Sequence, residues 1–284
     1  MDMETSMAKK KKAGNLRLDL QIFFFLLIAV ISINHTLAEQ GKGIPILSSA
    51  SLHAVCPLGG VVTIYEYFVS GKFVKKVHES SWILMWITFA LALAFGPVFC
   101  GWVCPFGSFQ EWLGKIGKKI YRKRYNRFIP HGLDQWLRYL RYVVLLWVVY
   151  MTAVTGKIIF ADYDPYFVLF NFWTGEVAVI GVIILLAVIA ATLFVERPFC
   201  KYACPFGAVL GIFNLFRIFA IKRNAETCVD CGACDRNCAM NIPVATGGTV
   251  RNHQCITCMQ CTSEQACPVD DTVELMTGRM EVTQ

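Results

Sequence analysis

Four apolar segments, each close to the length of a membrane-spanning helix, are the feature that most limits how this chain can fold. They run from about Leu20 to Ala38, Trp82 to Phe99, Leu140 to Phe160 and Val177 to Val195. Each approaches the ~20 residues that a helix needs to cross a hydrocarbon layer of about 30 Å. Because 56% of the residues are hydrophobic and only 17% are charged, an ordinary soluble domain is excluded. We therefore expect an all-α polytopic membrane protein whose first helix is a retained anchor rather than a cleaved signal peptide.

The positions of the basic residues predict how these helices are oriented. Lysines fill positions 9–12, and residues 115–128 between the second and third helices are densely basic, whereas residues 161–176 carry only acidic charges. Since positive loops stay in the cytoplasm, we expect a multi-pass protein of the inner membrane with both termini cytoplasmic and residues 39–80 outside. Topology and anionic lipid already explain the net charge of +7, so no nucleic-acid partner is expected.

The C-terminal region carries eight of the thirteen cysteines in two regular runs, "CVDCGACDRNC" at 228–238 and "CITCMQCTSEQACP" at 255–268. This is the pattern of a bacterial-type two-cluster ferredoxin, an α+β domain in which the fourth cysteine of each run completes the other cluster. We call the first tail set Cys228, Cys231, Cys234 and Cys267. We call the second tail set Cys255, Cys258, Cys261 and Cys238. The spacing favours two 4Fe-4S clusters over zinc or disulfides.

A second cysteine motif is written twice at an offset of one hundred residues, as "FCGWVCPFG" at 99–107 and "FCKYACPFG" at 199–207. We call its four cysteines the corner cysteines: Cys100, Cys104, Cys200 and Cys204. Within each pair the i, i+4 spacing places both sulfurs on one helix face, and Pro105 and Pro205 should begin new, amphipathic helices. Two such helix–CxxxCP–helix units would offer four thiolates at the membrane surface, enough for a further iron–sulfur cluster. A zinc site, a transient dithiol or inert packed cysteines are the alternatives.

At this point the residues resemble a known family. Four spanning helices, two CxxxCP motifs and a two-cluster ferredoxin tail look like the NapH-type quinol dehydrogenase membrane components, and the chain is also similar to the membrane core of NosR-type proteins. The likeness covers residues from about 20 to 275. It implies electron transfer between the membrane quinone pool and a redox protein partner. The chain departs from the family in a third echo, "CPLGG" at 56–60, whose Cys56 we leave unassigned, and in the wider spacing of its last cysteine run.

Quinone chemistry moves protons, so an ionisable residue near the membrane is required. His35 and Glu196 are the candidates for a quinone site, with His53 and Glu66 as further candidates. Two other functions stay open. One is an accessory factor that reduces a metal or cofactor of a partner reductase or oxidase. The other is an electron-transfer subunit of a larger membrane redox complex.

The expected organisation has three parts. A basic cytoplasmic tail spans residues 1–18, and a four-helix transmembrane core with both CxxxCP motifs spans residues 19–222. The two-cluster ferredoxin domain follows at residues 223–284.

Overall fold

Helices surround the two CxxxCP corners, and a small sheet carries the cysteine-rich tail. The computed structural model describes residues 3–39, 79–155, 160, 163–174, 177–269 and 271–277. His53, Cys56 and Glu66 lie outside the described residues.

The described elements follow one another in a simple order. The helices are α1 Met3–Glu39, α2 Glu79–Phe95, α3 Pro105–Tyr121, α4 His131–Leu137, α5 Leu140–Thr155, α6 Pro165–Asn171, α7 Val179–Thr192, α8 Pro198–Tyr202, α9 Pro205–Leu215 and α10 Ala233–Arg236. A π-helical turn spans Phe99–Val103, and short 3-10 turns span Arg122–Arg124 and Gln260–Thr262. The strands are β1 Phe219–Arg223, β2 Thr249–Val250 and β3 Val273–Thr277.

All four predicted apolar segments form helices, but they differ in length. Gly14–Ala38 and His131–Thr155 are long and apolar enough to cross a membrane. Helix α2 has 17 residues and α7 has 14, so they rise only about 25 and 21 Å. The first helix also begins earlier than predicted, because Met, Ala, Glu and Lys are strong helix formers that extend it through the basic residues 9–12.

Each corner begins where an apolar helix ends. Helix α2 ends at Phe95 because Gly96 takes a φ of +85°, which favours glycine, and a Cβ there would lie 2.6 Å from the Asn214 side-chain oxygen. After the corner, Pro105 is the first residue of α3 and Pro205 is the first residue of α9. The prediction that these prolines start new helices is confirmed, since proline at the first helical position gives up no hydrogen bond.

The connection between α5 and α7 turns back toward the corners. Its Phe160 and Val168 are buried in one hydrophobic cluster with Phe106 and Phe199, which flank the corner prolines and cysteines. Helix α6 begins in this connection, and Asp164 caps it by accepting the Tyr166 backbone N–H at 3.0 Å. The acidic composition of the segment had not indicated this inward packing.

The tail is organised by a three-stranded antiparallel sheet in the order β2-β1-β3. Ile221 of β1 pairs with Val250 of β2 on one side and with Leu275 of β3 on the other. Ile221 and Val250 are buried in one hydrophobic cluster with Met240 and Ile242. Four cysteines of the tail are buried in the same cluster: Cys234, Cys255, Cys261 and Cys267. The apolar side chains of the sheet therefore pack against the loops that carry the cysteines.

Candidate iron–sulfur sites

The corner cysteines occupy matching positions in the two repeats. Cys100 lies in the π-helical turn and Cys200 in α8, while Cys104 and Cys204 are the N-cap residues of α3 and α9. Burial, and then the neighbouring thiolates of Cys200, Cys100 and Cys104, raise the pKa of Cys204 well above its usual value. The fold thus brings all four sulfurs together, although the two pairs are one hundred residues apart in the chain.

A buried ion-pair network supports the first corner. The guanidinium of Arg197 is fully buried, donates to the Cys100 carbonyl at 2.7 Å and pairs with the Glu111 carboxylate. Glu111 also pairs with Arg17 at 2.5 Å. Burial alone would raise the pKa of Glu111, but Arg197 and Arg17 hold it below its usual value. Burial and the neighbouring Cys104 and Cys200 raise the pKa of Cys100, and the nearby Arg197 and Arg141 oppose this rise. These cations offset negative charge on buried thiolates.

The second corner is held by a different carboxylate. Asp134 of α4 lies 2.8 Å from the Lys201 ammonium and accepts a hydrogen bond from the Tyr202 hydroxyl. Arg138, one turn along, pairs with the same carboxylate and donates to the Asn241 carbonyl of the tail at 3.1 Å. The basic connection before α5 therefore ties the second corner to the tail.

The four cysteines of the second tail set line one cavity, whose walls are otherwise almost entirely apolar and include Ile221 and Met240. N–H groups reach these sulfurs. The Ile242 backbone donates to Cys238 at 3.4 Å, and Arg217 Nη1 lies 3.6 Å from Cys255 Sγ. Cys238 comes from the first cysteine run, so the fold brings together residues of both runs as the crossed assignment requires.

The first tail set lies nearer the surface. Cys234 and Cys267 are buried in one hydrophobic cluster, and burial, Asp235 and then the Cys267 thiolate raise the pKa of Cys234. Arg223 Nη1 donates to Cys228 Sγ at 3.3 Å, and Cys231 is exposed.

The second tail set lies directly against the corners. A Cβ on Gly101, between the first two corner cysteines, would lie 2.5 Å from the Ile256 carbonyl oxygen and 3.2 Å from Cys258 Cα. The neighbouring Trp102 donates its indole N–H to the Thr257 carbonyl at 3.0 Å. Cys100 and Cys200 both pack against the hydrophobic cluster that contains the second tail set. The corner and the tail therefore form one continuous buried region.

The donor sets fit iron–sulfur clusters better than single metal ions. Within the described ranges, no group of three or more histidine, cysteine, aspartate or glutamate side chains is arranged to hold one metal ion. A zinc ion draws its sulfur ligands to about 2.3 Å, whereas a cluster places several irons between its four thiolates. In the second tail set the sulfurs surround a cavity and accept hydrogen bonds from N–H groups. This arrangement suits an iron–sulfur cluster.

Neither residue predicted for a quinone site lines the cavity that Cys104, Cys200 and Cys204 line. His35 is half-buried near the end of α1. Glu196 lines a polar cavity with Glu111, Lys118 and Tyr125, and none of the corner cysteines lines that cavity. Burial and the neighbouring Glu111 raise the pKa of Glu196.

Sequence reasoning missed the charged residues that support the corners. Neither Arg17 nor Glu111 was predicted to contribute to the site. Arg197 offers the one local signal, since a charged residue directly before the apolar "PFC" needs a buried partner. That partner is 86 residues away and is not visible in the sequence.

A protein-family model described as "4Fe-4S binding domain" matches residues 79–124 and 177–224. Each matched segment contains one helix–CxxxCP–helix unit and two of the corner cysteines, so the internal repeat is a repeat of this domain. The cysteine runs of the tail lie beyond both segments.

Several curated proteins are similar to the chain along most of its length. The YccM protein of Escherichia coli is 32% identical over 76% of this chain and 61% of its own length. An uncharacterized protein of Methanocaldococcus jannaschii is 35% identical over 61% of this chain and 70% of its own. The ferredoxin-type protein NapH of Escherichia coli is 25% identical over 75% of this chain and 74% of its own.

The chain spans about three fifths of YccM, and about a third or less of the NirI and NosR proteins that it also matches. No solved structure matches the chain. The matched domain, the apolar helices and these relatives agree with one another. The chain belongs to the family of membrane-associated 4Fe-4S ferredoxin-type proteins that includes NapH, NirI, NosR and YccM.

Proposed function

We propose that this protein is a membrane-bound iron–sulfur electron carrier that passes electrons between the quinone pool and a redox protein partner, as a quinol dehydrogenase component. One observation carries the proposal. Cys100 and Cys200 of the corner pack against the same buried hydrophobic cluster as the second tail set, so a redox site at the membrane edge and a redox site in the tail would be direct neighbours.

Three cluster sites follow from the donor sets. Each tail set would hold one 4Fe-4S cluster, and the corner cysteines would hold a third. Such clusters supply one-electron transfer. The protein's own part is to bury the sulfurs, to offset their charge with Arg197 and Arg141, and to aim N–H donors at them.

The surroundings of the two tail sets indicate where a redox partner would bind. The second tail set contacts the corner, whereas the first tail set has the exposed Cys231, and Val229 beside it is 63% exposed. A soluble redox partner would therefore dock at the first tail set. The domain division at residues 18/19 and 222/223 belongs to the same proposal, although β1 already begins at Phe219.

In the membrane, we place α1, α2, α5 and α7 as four spanning helices with both termini in the cytoplasm. Helices α2 and α7 are shorter than the hydrocarbon layer is thick, so other segments of the protein must fill the remaining depth. Helix α6 packs against α7, and the first corner packs against α2, so these segments are in place to do so. Backbone that does not span is tolerated at membrane depth when protein covers it, as it covers Val168 and Phe170 of α6.

The test uses full-length protein purified without oxygen and reconstituted in lipid vesicles. Addition of menadiol should bleach the iron–sulfur absorption of the wild type within the mixing time of a stopped-flow instrument. The double variant Cys100→Ser/Cys200→Ser should keep its tail absorption but lose this fast reduction. Cys56→Ser, a cysteine outside the proposed ligand sets, is the matched control and should react like the wild type.

Two outcomes would contradict the proposal. One is a wild type that menadiol does not reduce although dithionite does. The other is a double variant that menadiol reduces at the wild-type rate, because electrons would then bypass the corners. Reduction of a metal chelate without any reaction with menadiol would favour the accessory-factor alternative.

A further inference from the structure

An apolar cavity beside the corners is lined by aliphatic and aromatic residues as well as by cysteines. Its volume is about 170 Å³, and its lining includes Cys104, Cys200 and Cys204. Residues of α1 and α2, among them Ile28 and Leu84, also line it. Apolar cavities of about 150 Å³ bind benzene, so this space has room for one aromatic or quinonoid ring.

One carboxyl group lies in this otherwise apolar lining. Asp164 comes from the connection that turns back toward the corners, and it lines the cavity together with Tyr166. Its Oδ1 accepts the Tyr166 N–H at 3.0 Å, a bond that caps α6. Capping uses one oxygen and leaves Oδ2 without a hydrogen bond to any residue that the structure describes.

The carboxyl group is suited to a ligand that exchanges protons. Burial raises the pKa of Asp164 to about 7, although the Tyr166 N–H lowers it. Near neutral pH the group is therefore present both as a hydrogen-bond donor and as an acceptor. A quinone carbonyl needs a donor, and a quinol hydroxyl needs an acceptor.

An iron–sulfur cluster at the corner would account for the cysteines in this lining but not for its other residues. A cluster at the corner needs thiolates, and it has no use for a carboxyl group or for an aliphatic wall on α1 and α2. Leu27, on the α1 side of the cavity, is 39% exposed, so the cavity borders the apolar outer surface of the helices. A ligand dissolved in lipid can reach it from there.

We propose that this cavity binds the ring of a quinone or quinol and that Asp164 hydrogen-bonds one ring oxygen. The inference rests on the proposed function and deepens it, because it replaces His35 and Glu196 with a defined site beside the corner sulfurs. The site is one of binding, and it orients the ring so that its edge faces the ends of α3 and α9, where Cys104 and Cys204 lie.

Binding is measured with oxidised menadione and the full-length holoprotein in nanodiscs. Leu84→Trp fills the cavity and should weaken binding by about tenfold or more. Ile83→Trp, at a neighbouring position that is 64% exposed, is the matched control and should bind like the wild type. Asp164→Ser retains a good N-cap but loses the carboxyl group, and should weaken binding by about fivefold. Glu196→Gln should leave binding unchanged.

Photo-cross-linking of the wild-type protein with an azidoquinone locates the binding site without any variant. Cross-links should map to residues 24–31, 84, 160 and 164–166. Cross-links near His35 or Glu196, or menadione binding that Leu84→Trp and Asp164→Ser leave unchanged, would overturn the site. The site would also be overturned if the wild-type cavity held a tightly bound phospholipid and Leu84→Trp expelled this lipid without changing menadione binding.

The two proposals fail in different ways. If menadiol reduces the wild type and also reduces Leu84→Trp at the same rate, the proposed function stands and this site falls. If menadione binds as described but menadiol reduces no cluster, the site stands and the proposed function falls.

Discussion

Glu111 joins two arginines that are far apart in the sequence, Arg17 in α1 and Arg197 before α8. All three side chains are almost fully buried next to the first corner. A buried ion pair contributes little net stability compared with apolar packing, but removing one partner leaves an uncompensated charge. The network therefore fixes where the corner cysteines lie, and it is costly to break.

Replacement of Glu111 by glutamine should lower the free energy of unfolding by about 3–5 kcal/mol, because two guanidinium groups would stay buried without a counter-charge. Chemical unfolding in detergent, followed by circular dichroism, measures this change. Glu226→Gln is the control, since Glu226 is exposed, and it should change stability by no more than about 0.5 kcal/mol. A Glu111→Gln variant as stable as the wild type would show that the ion pairs do not form.

The difference in unfolding free energy between the wild type and Glu111→Gln should depend on pH. The arginines lower the folded-state pKa of Glu111, so its contribution is complete above the unfolded-state pKa and is lost as pH falls through the folded-state pKa. The stability difference between wild type and Glu111→Gln should thus be constant near neutral pH and shrink below about pH 4.

Two arginines test which sulfurs belong to which cluster. Arg217 lies beside Cys255 of the second tail set, and Arg223 beside Cys228 of the first. Loss of a charged hydrogen bond of about 1.5 kcal/mol corresponds to roughly 60 mV for a one-electron couple. Arg217→Met should lower the potential of one cluster by about this amount, and Arg223→Met that of the other.

Each variant is the control for its counterpart, and EPR-monitored redox titration separates the two signals. Equal shifts of both clusters in either variant would contradict the assignment of the two tail sets.

At the residue scale, the sequence indicates candidate cluster ligands among the cysteines but not the residues that surround them. Spacing within a short run identifies cluster ligands because three thiolates on one loop must face the same cubane. Arg197 and Asp164 depend instead on partners brought near by tertiary packing, and no local pattern indicates those partners.

At the scale of elements, the repeated Cys-Pro junction is what sequence reasoning describes best. Proline fixes the start of α3 and of α9, so the cysteine before it becomes the N-cap in both repeats. The inward turn of α6 was not predicted, because Asp and Gly near its ends resemble those of an ordinary surface loop. Its position follows from packing between Val168 and the residues around the corner.

Gly101 tests the contact between a corner and the tail. Gly101→Ala places a methyl group against the Ile256 carbonyl, so the loop at 255–258 must shift. Overpacking of this kind costs about 1–3 kcal/mol. We expect faster hydrogen exchange at 255–258 and weaker magnetic coupling between clusters.

Gly132→Ala is the matched control, because nothing lies within 4 Å of a Cβ there and α4 should gain from alanine. If the two variants show the same hydrogen-exchange rate at 255–258 and the same magnetic coupling between clusters, the tail does not lie against the corner.

At the scale of the whole molecule, the cysteine sets form a continuous series from the apolar helices to the exposed end of the tail. The corner meets the second tail set through Gly101 and Trp102, and Cys238 joins that set from the first cysteine run. The membrane character and the family were both predictable from the sequence. The contact between corner and tail was not, since it joins residues about 155 positions apart.

Iron and acid-labile sulfide analysis of protein purified without oxygen tests most directly whether these sulfurs hold clusters. We expect about twelve irons and about twelve sulfides per chain, falling to about eight of each in Cys100→Ser/Cys200→Ser. Cys56→Ser should keep the wild-type content. Colourless wild-type protein with little iron would contradict the account, and about eight irons in both the wild type and the double variant would remove the cluster from the corners.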